Sequence, residues 1–282
     1  MFHPRFEAFV VGAVAALALN TAAQAEDAVL RQVIGGDQRG EAHVARDEAR
    51  HPYESLVFWG LKPGQTVVEI SPGSGYWTEI LAPYVKAAGG TYVAAVADLD
   101  DPGLSDGARK GRAAFEAKYA DAAVFGDIAY VGFGATSKPL GAPGSADLVL
   151  TARNIHDWMW RDGMLEKAMN DFYAVLKPGG VLAVEEHRAD PRPEVEGARD
   201  GYVSTATVVA AAEKAGFKLE AQSEINANPK DTKDHPFGVW TLPPVRQSAA
   251  RGEAPAADFD RAKYDAIGES DRMTLRFVKP AA

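Results

Sequence analysis

The sequence contains no cysteine. That excludes disulfides, thiolate metal sites and a cysteine nucleophile. It permits an oxidising compartment without requiring one. Basic residues are also in deficit: 30 Lys and Arg stand against 39 Asp and Glu, a formal net charge of -9. Phosphate backbones select clustered positive charge, so a nucleic-acid partner is not expected. Beyond the first 25 residues no apolar run is long enough for a membrane span. What remains is a chain of 282 residues with 46% hydrophobic content, enough for a full core.

The N-terminus has the order of an export signal. Arg5 supplies positive charge, and an apolar run follows from Phe9 to Leu19. Small residues Ala23 and Ala25 then form an A-x-A pattern ahead of Glu26 and Asp27. Cleavage is expected after Ala25, which places the mature protein in the periplasm or outside the cell. Residues 26–60 read as a helical segment, and residues 61–282 as one domain with an insertion at 227–270.

Short apolar strands alternate with helical stretches along that domain. The strands are read at Thr66–Ile70, Thr91–Val96, Ala123–Phe125, Ala146–Thr151, Val181–Glu185, Phe217–Ile225 and Met273–Val278. Such alternation means βαβ units and a parallel sheet. No helix is read between the last two strands, so one of them is expected to run antiparallel. Residues 129–145 read as a glycine-rich loop. The 227–270 insertion is too long for an ordinary connection and is placed to cover a cleft.

The first strand leads into Glu69-Ile70-Ser71-Pro72-Gly73-Ser74-Gly75. Glycines at 73 and 75 let the backbone approach a ligand where a side chain would collide. A dinucleotide turn needs a third glycine at 78, where Thr78 stands, and a phosphate-binding P-loop needs a Lys that is missing. Glu69 at the strand end suits a cationic or amino-acid-like ligand better than a phosphate. A plain tight turn remains the alternative reading of two glycines.

Residues 46–187 resemble the class I S-adenosylmethionine-dependent methyltransferases. Their first motif is an acid followed by a turn of the form E/D-x-G-x-G-x-G; Glu69, Gly73 and Gly75 match it, and Ser71 replaces the first glycine. The resemblance implies a Rossmann-like, doubly wound α/β fold: seven mostly parallel strands, helices on both faces, and an antiparallel strand at one edge. It implies S-adenosyl-L-methionine as cofactor, held by Glu69, Ser71, Gly73, Gly75 and Asn154. Asp98 (or Asp100) would hold the ribose, and Asp127 in Gly126-Asp127, read as the end of the third strand, would face the adenine. After the fourth strand, Arg153-Asn154-Ile155-His156-Asp157-Trp158 is similar to the segment of small-molecule O-methyltransferases in which a His is the base. His156 is therefore the candidate base, and His187, after the fifth strand, is either an alternative base or a substrate contact. The alternative for each is a packed structural histidine. Arg153 and Arg188 would either hold an anionic substrate or pair with nearby acids.

A metal site of His187 with Glu185 or Glu186 is not favoured, because no two histidines have ligand spacing. The stretch from Asn228 to His235, then Val239 to Pro244, resembles a set of exported bacterial proteins described as predicted methyltransferases. Two readings follow: methyl transfer to a small molecule, with O-methylation favoured, or an exported ligand-binding protein on the same scaffold. The second is raised by export itself, because the cofactor is made in the cytoplasm.

Overall fold

The structure, a computed structural model, describes residues 27–191 and 198–281. The export signal expected over 1–25 lies outside the described residues. The chain opens with four short helices: α1 (Ala28–Ile34), α2 (Glu41–Val44), α3 (Asp47–Arg50) and α4 (Pro52–Phe58). The expected helical segment is thus broken into pieces, for local reasons. The Asp27 carboxylate caps α1 by accepting from the Leu30 N–H at 3.0 Å. Gly35, Gly36 and Gly40 then interrupt it. His51 precedes a proline and takes a left-handed conformation, φ 43, that separates α3 from α4.

The alternating unit follows: β1 (Thr66–Ile70), α5 (Thr78–Ala87), β2 (Thr91–Ala97), α6 (Asp106–Lys118), α7 (Ala122–Phe125), β3 (Ala129–Phe133), β4 (Ala146–Ala152), α8 (Ile155–Trp158), α9 (Met164–Val175) and β5 (Leu176–His187). The chain closes with α10 (Thr205–Lys214), β6 (Lys218–Ser223), β7 (Pro236–Val239), α11 (Arg261–Ile267) and β8 (Arg272–Val278). Seven of these strands form one sheet in the order β3-β2-β1-β4-β5-β8-β6. The pairs from β3 to β5 are parallel, and β8 runs antiparallel between β5 and β6. This is the doubly wound, mostly parallel sheet expected from the sequence. Strand order reverses between β1 and β4, where ligands bind in open α/β sheets.

The sheet is covered on both faces, so its central strands are apolar almost throughout. Successive residues face opposite ways. Val67 points into one core, with Trp59, Leu81, Tyr84 and Phe115 from α4, α5 and α6. Val68 points into the other, with Phe172 and Val208 from α9 and α10.

One strand differs from its sequence reading. Residues 123–125 are helical, because the Asp121 carboxylate accepts from the Ala123 N–H at 2.9 Å and starts a turn of helix there. The third strand is instead 129–133, where Gly132 and Gly134 gave a loop-like pattern. Gly126-Asp127 therefore precedes β3 rather than ending it.

Phe172 is fully buried and stacks on Phe133 with ring centroids 5.9 Å apart. Phe172→Ala is expected to lower unfolding stability by about 3–5 kcal/mol in chemical denaturation, without loss of the fold.

Candidate active site

Beyond the carboxyl ends of β1, β4 and β5 lies a cavity of about 240 Å³. It brings together Glu69, Ser71, Gly73, Asn154, His156 and His187 from the residues singled out in the sequence. A hollow of about 520 Å³ over α9 and α10 contains none of them. The insertion closes the cavity: Trp240 lies with its ring 5.9 Å from the His156 ring.

The turn after β1 is held in positive φ at Ser71 (47), Gly73 (59) and Gly75 (90). The two glycines serve different ends. A side-chain carbon added at Gly73 would enter open space in the cavity wall, which is room for a ligand's close approach. One added at Gly75 would meet the Tyr119 hydroxyl at 1.7 Å. Gly75 is not among the residues that line the cavity, and its lack of a side chain is needed for packing of the turn against Tyr119 at the end of α6. Trp77, in the same wall, has a buried indole N–H without a partner.

Glu69 is buried at the end of β1. Its Oε2 accepts from the Tyr92 hydroxyl at 2.6 Å and from Thr78 Oγ1 at 3.0 Å. Burial outweighs these bonds and pushes its pKa up to about 7. The group is held in place by Oε2 and lines the cavity, ready to receive a cation. Asn154 clasps the ends of β1 and β4, donating to the Ile70 carbonyl at 3.0 Å and Thr151 Oγ1 at 3.2 Å.

His156 sits on α8, a helix of four residues that the Asn154 side chain, turned to Ile70 and Thr151, does not cap. Glu186, fully buried on β5, supplies the capping bond from across the sheet. Its Oε2 accepts from the Ile155 N–H at 2.6 Å, and its Oε1 from His156 Nδ1 at 2.9 Å and the His187 N–H at 2.8 Å. With Nδ1 donating to a carboxylate, Nε2 is the basic nitrogen, and it lies 3.6 Å from Asp157 Oδ1. Burial alone would lower the His156 pKa; the Glu186 charge and hydrogen bond more than offset it, and the pKa is raised. His187, its ring centroid 5.2 Å away, goes the other way. Burial and the positive charge of His156 and nearby arginines lower it well below the usual value. Its Nδ1 is 2.5 Å from Ser270 Oγ. Of the two, His156 is the one whose surroundings favour taking up a proton.

His156, Glu186 and His187 bring possible metal-ligating atoms within 4.8 Å of one another. Spacing along the chain gave no hint of this, because folding assembles the group. With the His156 backbone N–H at 3.4 Å, Glu186 already accepts from four N–H groups, which is the pattern of an orienting carboxylate.

The remaining acids stand apart. Asp98 follows β2 at the carboxyl end of the sheet, outside the cavity walls, and its Oδ1 accepts from the Asp100 N–H at 3.1 Å. Asp100 is instead paired with Lys138 at 2.8 Å, on the surface. Asp127 is corrected: it precedes β3 and so lies at the opposite end of the sheet, in a hollow with Lys86, Thr91 and Phe125. β3 ends in Gly132-Phe133-Gly134, without an acid. Arg188 is tied to Asp271 and Glu224 and does not line the cavity, whereas Arg153 does. Sequence reading missed Arg50, Glu269 and Ser270, which complete one wall. The only signal was the charged run Glu269-Ser270-Asp271-Arg272 directly before a strand.

No family model matches the chain. Its curated relatives include the ubiquinone/menaquinone biosynthesis C-methyltransferase UbiE of Klebsiella pneumoniae, 30% identical over 146 residues, 51% of each chain. The UbiE of Psychromonas ingrahamii is 31% identical over 130 residues, 45% of this chain and 44% of that one. The chain spans about half the length of the curated relatives it matches. Among solved structures, the [4+2]-cyclase SpnF aligns with a TM-score of 0.57 at 15% identity, over 88% of this chain and 86% of that one. Geranyl diphosphate C-methyltransferase from Streptomyces coelicolor A3(2) aligns with a TM-score of 0.52 at 14% identity, over 88% of each. The resemblance to class I methyltransferases therefore holds in sequence over half the chain and in fold over most of it.

Glu186→Gln removes the charge that raises His156. The His156 pKa, followed by NMR of its ring protons, is expected to fall below that of the wild type. An unchanged value would contradict the assignment of Glu186 as its partner.

Proposed function

We propose that the chain is a class I S-adenosylmethionine-dependent methyltransferase acting on a small-molecule acceptor, with O-methylation favoured. The observation that carries this reading is the Glu186–His156 pair, which faces the same cavity as the β1 turn. The residues present fit the cofactor. The open wall at Gly73 leaves room for it, Glu69 offers an acceptor for its ammonium, and the Trp77 N–H lacks a partner. Asp98 stands at the strand end from which a ribose can be held. S-adenosylmethionine supplies an electrophilic methyl group on a sulfonium.

The protein's part is to position and deprotonate the acceptor. Neutral His156 takes the hydroxyl proton at Nε2 while Nδ1–H stays on Glu186. Asp157, half-exposed and 3.6 Å from Nε2, stabilises the imidazolium that forms. His187 stays neutral and acts as a hydrogen-bond partner. Trp240 and Trp160, ring centroids 5.6 Å apart, bring the insertion and the α8–α9 connection together over His156. Because protonated His156 cannot act as base, activity rises with pH through a pKa above the ordinary histidine value. The export signal read over 1–25 extends the reading to a periplasmic or secreted enzyme.

A second reading is an exported ligand-binding protein on the same scaffold. The missing acid after β3 favours it, and a fold does not fix a chemistry.

Calorimetric titration with S-adenosylmethionine and S-adenosylhomocysteine separates the two. Saturable binding of both is expected, and no binding at millimolar concentration would sink the methyltransferase reading. Affinity is expected to rise from pH 6 to 7.5, because Glu69 ionises near 7 while the ligand's amine stays charged below about 8. His156→Ala is expected to leave this affinity nearly unchanged and to lower kcat by about 10²–10⁴-fold with a hydroxyl acceptor.

A further inference from the structure

Four guanidinium groups meet beneath the cavity. Arg46 and Arg50 bind Glu269 at 2.5 and 3.1 Å, and Arg272 binds Glu269 and Glu185 at 2.7 and 3.0 Å. Arg153, on the chain's path into α8, lies close enough to feel both carboxylates and all three other arginines. Four positive groups thus share two carboxylates. Glu186 does not relieve them, being engaged by His156 and the start of α8.

The imbalance appears in unpaired atoms. Arg50 is fully buried, hydrogen-bonds only through Nε and lies over the Tyr76 ring at 4.4 Å from its centroid; its Nη1 and Nη2 have no hydrogen-bond partner. Arg153 makes no side-chain hydrogen bond or ion pair with the described residues, and its buried Nε is unpartnered. Both line the cavity, beside His187 and the β1 turn. Buried charge that is only partly paired is costly, and here burial and repulsion from Arg153 outweigh Glu269 and depress the Arg50 pKa to about 9. Guanidinium groups present forked donors that match a carboxylate or phosphate.

We propose that Arg50 and Arg153 form an anion subsite, and that the methyl acceptor is therefore a small molecule bearing a carboxylate or phosphate near its reacting group. This rests on the methyltransferase reading. The cofactor is the wrong ligand to neutralise the cluster as a whole. Its sulfonium and ammonium outweigh its one carboxylate, so it brings net positive charge into the cavity. The acceptor has to supply the negative charge. Arg153 also lies three residues before His156, which puts the subsite beside the base.

The test is calorimetric titration of the S-adenosylhomocysteine-saturated protein with inorganic phosphate, 2-hydroxybenzoate and the neutral 2-hydroxybenzamide. Wild type is expected to bind both anions saturably and the amide at least about tenfold more weakly. Arg153→Gln breaks no side-chain hydrogen bond or ion pair with the described residues and is expected to fold. It should weaken both anions by at least about tenfold, leave S-adenosylhomocysteine affinity unchanged, and be partly rescued in Arg153→Lys. Equal binding of anion and amide, or no saturable anion binding, overturns the proposal. So does an Arg153→Gln protein that loses S-adenosylhomocysteine but keeps the anions, because the guanidinium then serves the cofactor's carboxylate. Failure of S-adenosylhomocysteine to bind wild type overturns the cofactor reading instead. The anion titrations are then read on the free protein, where the same difference between wild type and Arg153→Gln decides the subsite.

Discussion

The Glu186 carboxylate is the fixed point of this site. It is fully buried, and an unpaired charge there would cost several kcal/mol. Its position is therefore locked to the N–H groups that satisfy it: those of Ile155, His156 Nδ1 and His187. The first starts α8, the second orients the base and the third ends β5. A four-residue helix has little stability of its own. What holds α8 is the pairing of β4 with β5, which sets Ala152 opposite Glu185 and so delivers the next residue to the helix start. The position of the base is thus a property of the sheet.

The second constraint is long-range. Arg46 and Arg50 come from the helices ahead of β1, and Glu269 from just before β8, more than two hundred residues away in sequence. Asn226 adds a neutral link, donating to Ser55 Oγ at 3.1 Å and Thr274 Oγ1 at 2.9 Å. Trp59 donates to the Leu275 carbonyl at 3.1 Å. The N-terminal helices and the C-terminal strand thus close one side of a cavity whose floor is the central sheet. The insertion closes another with Trp240. The sheet places the base, and its flanks decide what charge and shape the cavity accepts.

Much of this was legible in the sequence where one residue's type and local pattern settle its role. The apolar strands Thr66–Ile70 and Ala146–Thr151 were read nearly to their ends, because parallel strands buried on both faces leave a continuous apolar run. His156, His187 and the turn at Ser71 and Gly73 fell into one cavity, because they follow adjacent strands. Gly126-Asp127 misled, because a short Ala-Val-Phe run cannot be told from a helical turn until the Asp121 cap is seen. Gly75 matched a ligand-binding pattern for an internal reason, the Tyr119 hydroxyl. Glu186 and the arginine cluster depend on pairings between distant segments, which no local pattern records.

The β1 turn and the Glu186-held His156 face one cavity, and on the proposed reading one bound ligand. A crystal structure with sinefungin, an amine analogue of S-adenosylmethionine, tests it most directly. The amino-acid end is expected against Glu69 and the Ser71–Trp77 turn, the amine that replaces the methyl-bearing centre towards His156 Nε2, and Nδ1 still on Glu186. A ligand bound away from that turn, or His156 released from Glu186 with Nε2 turned out of the cavity, would contradict it.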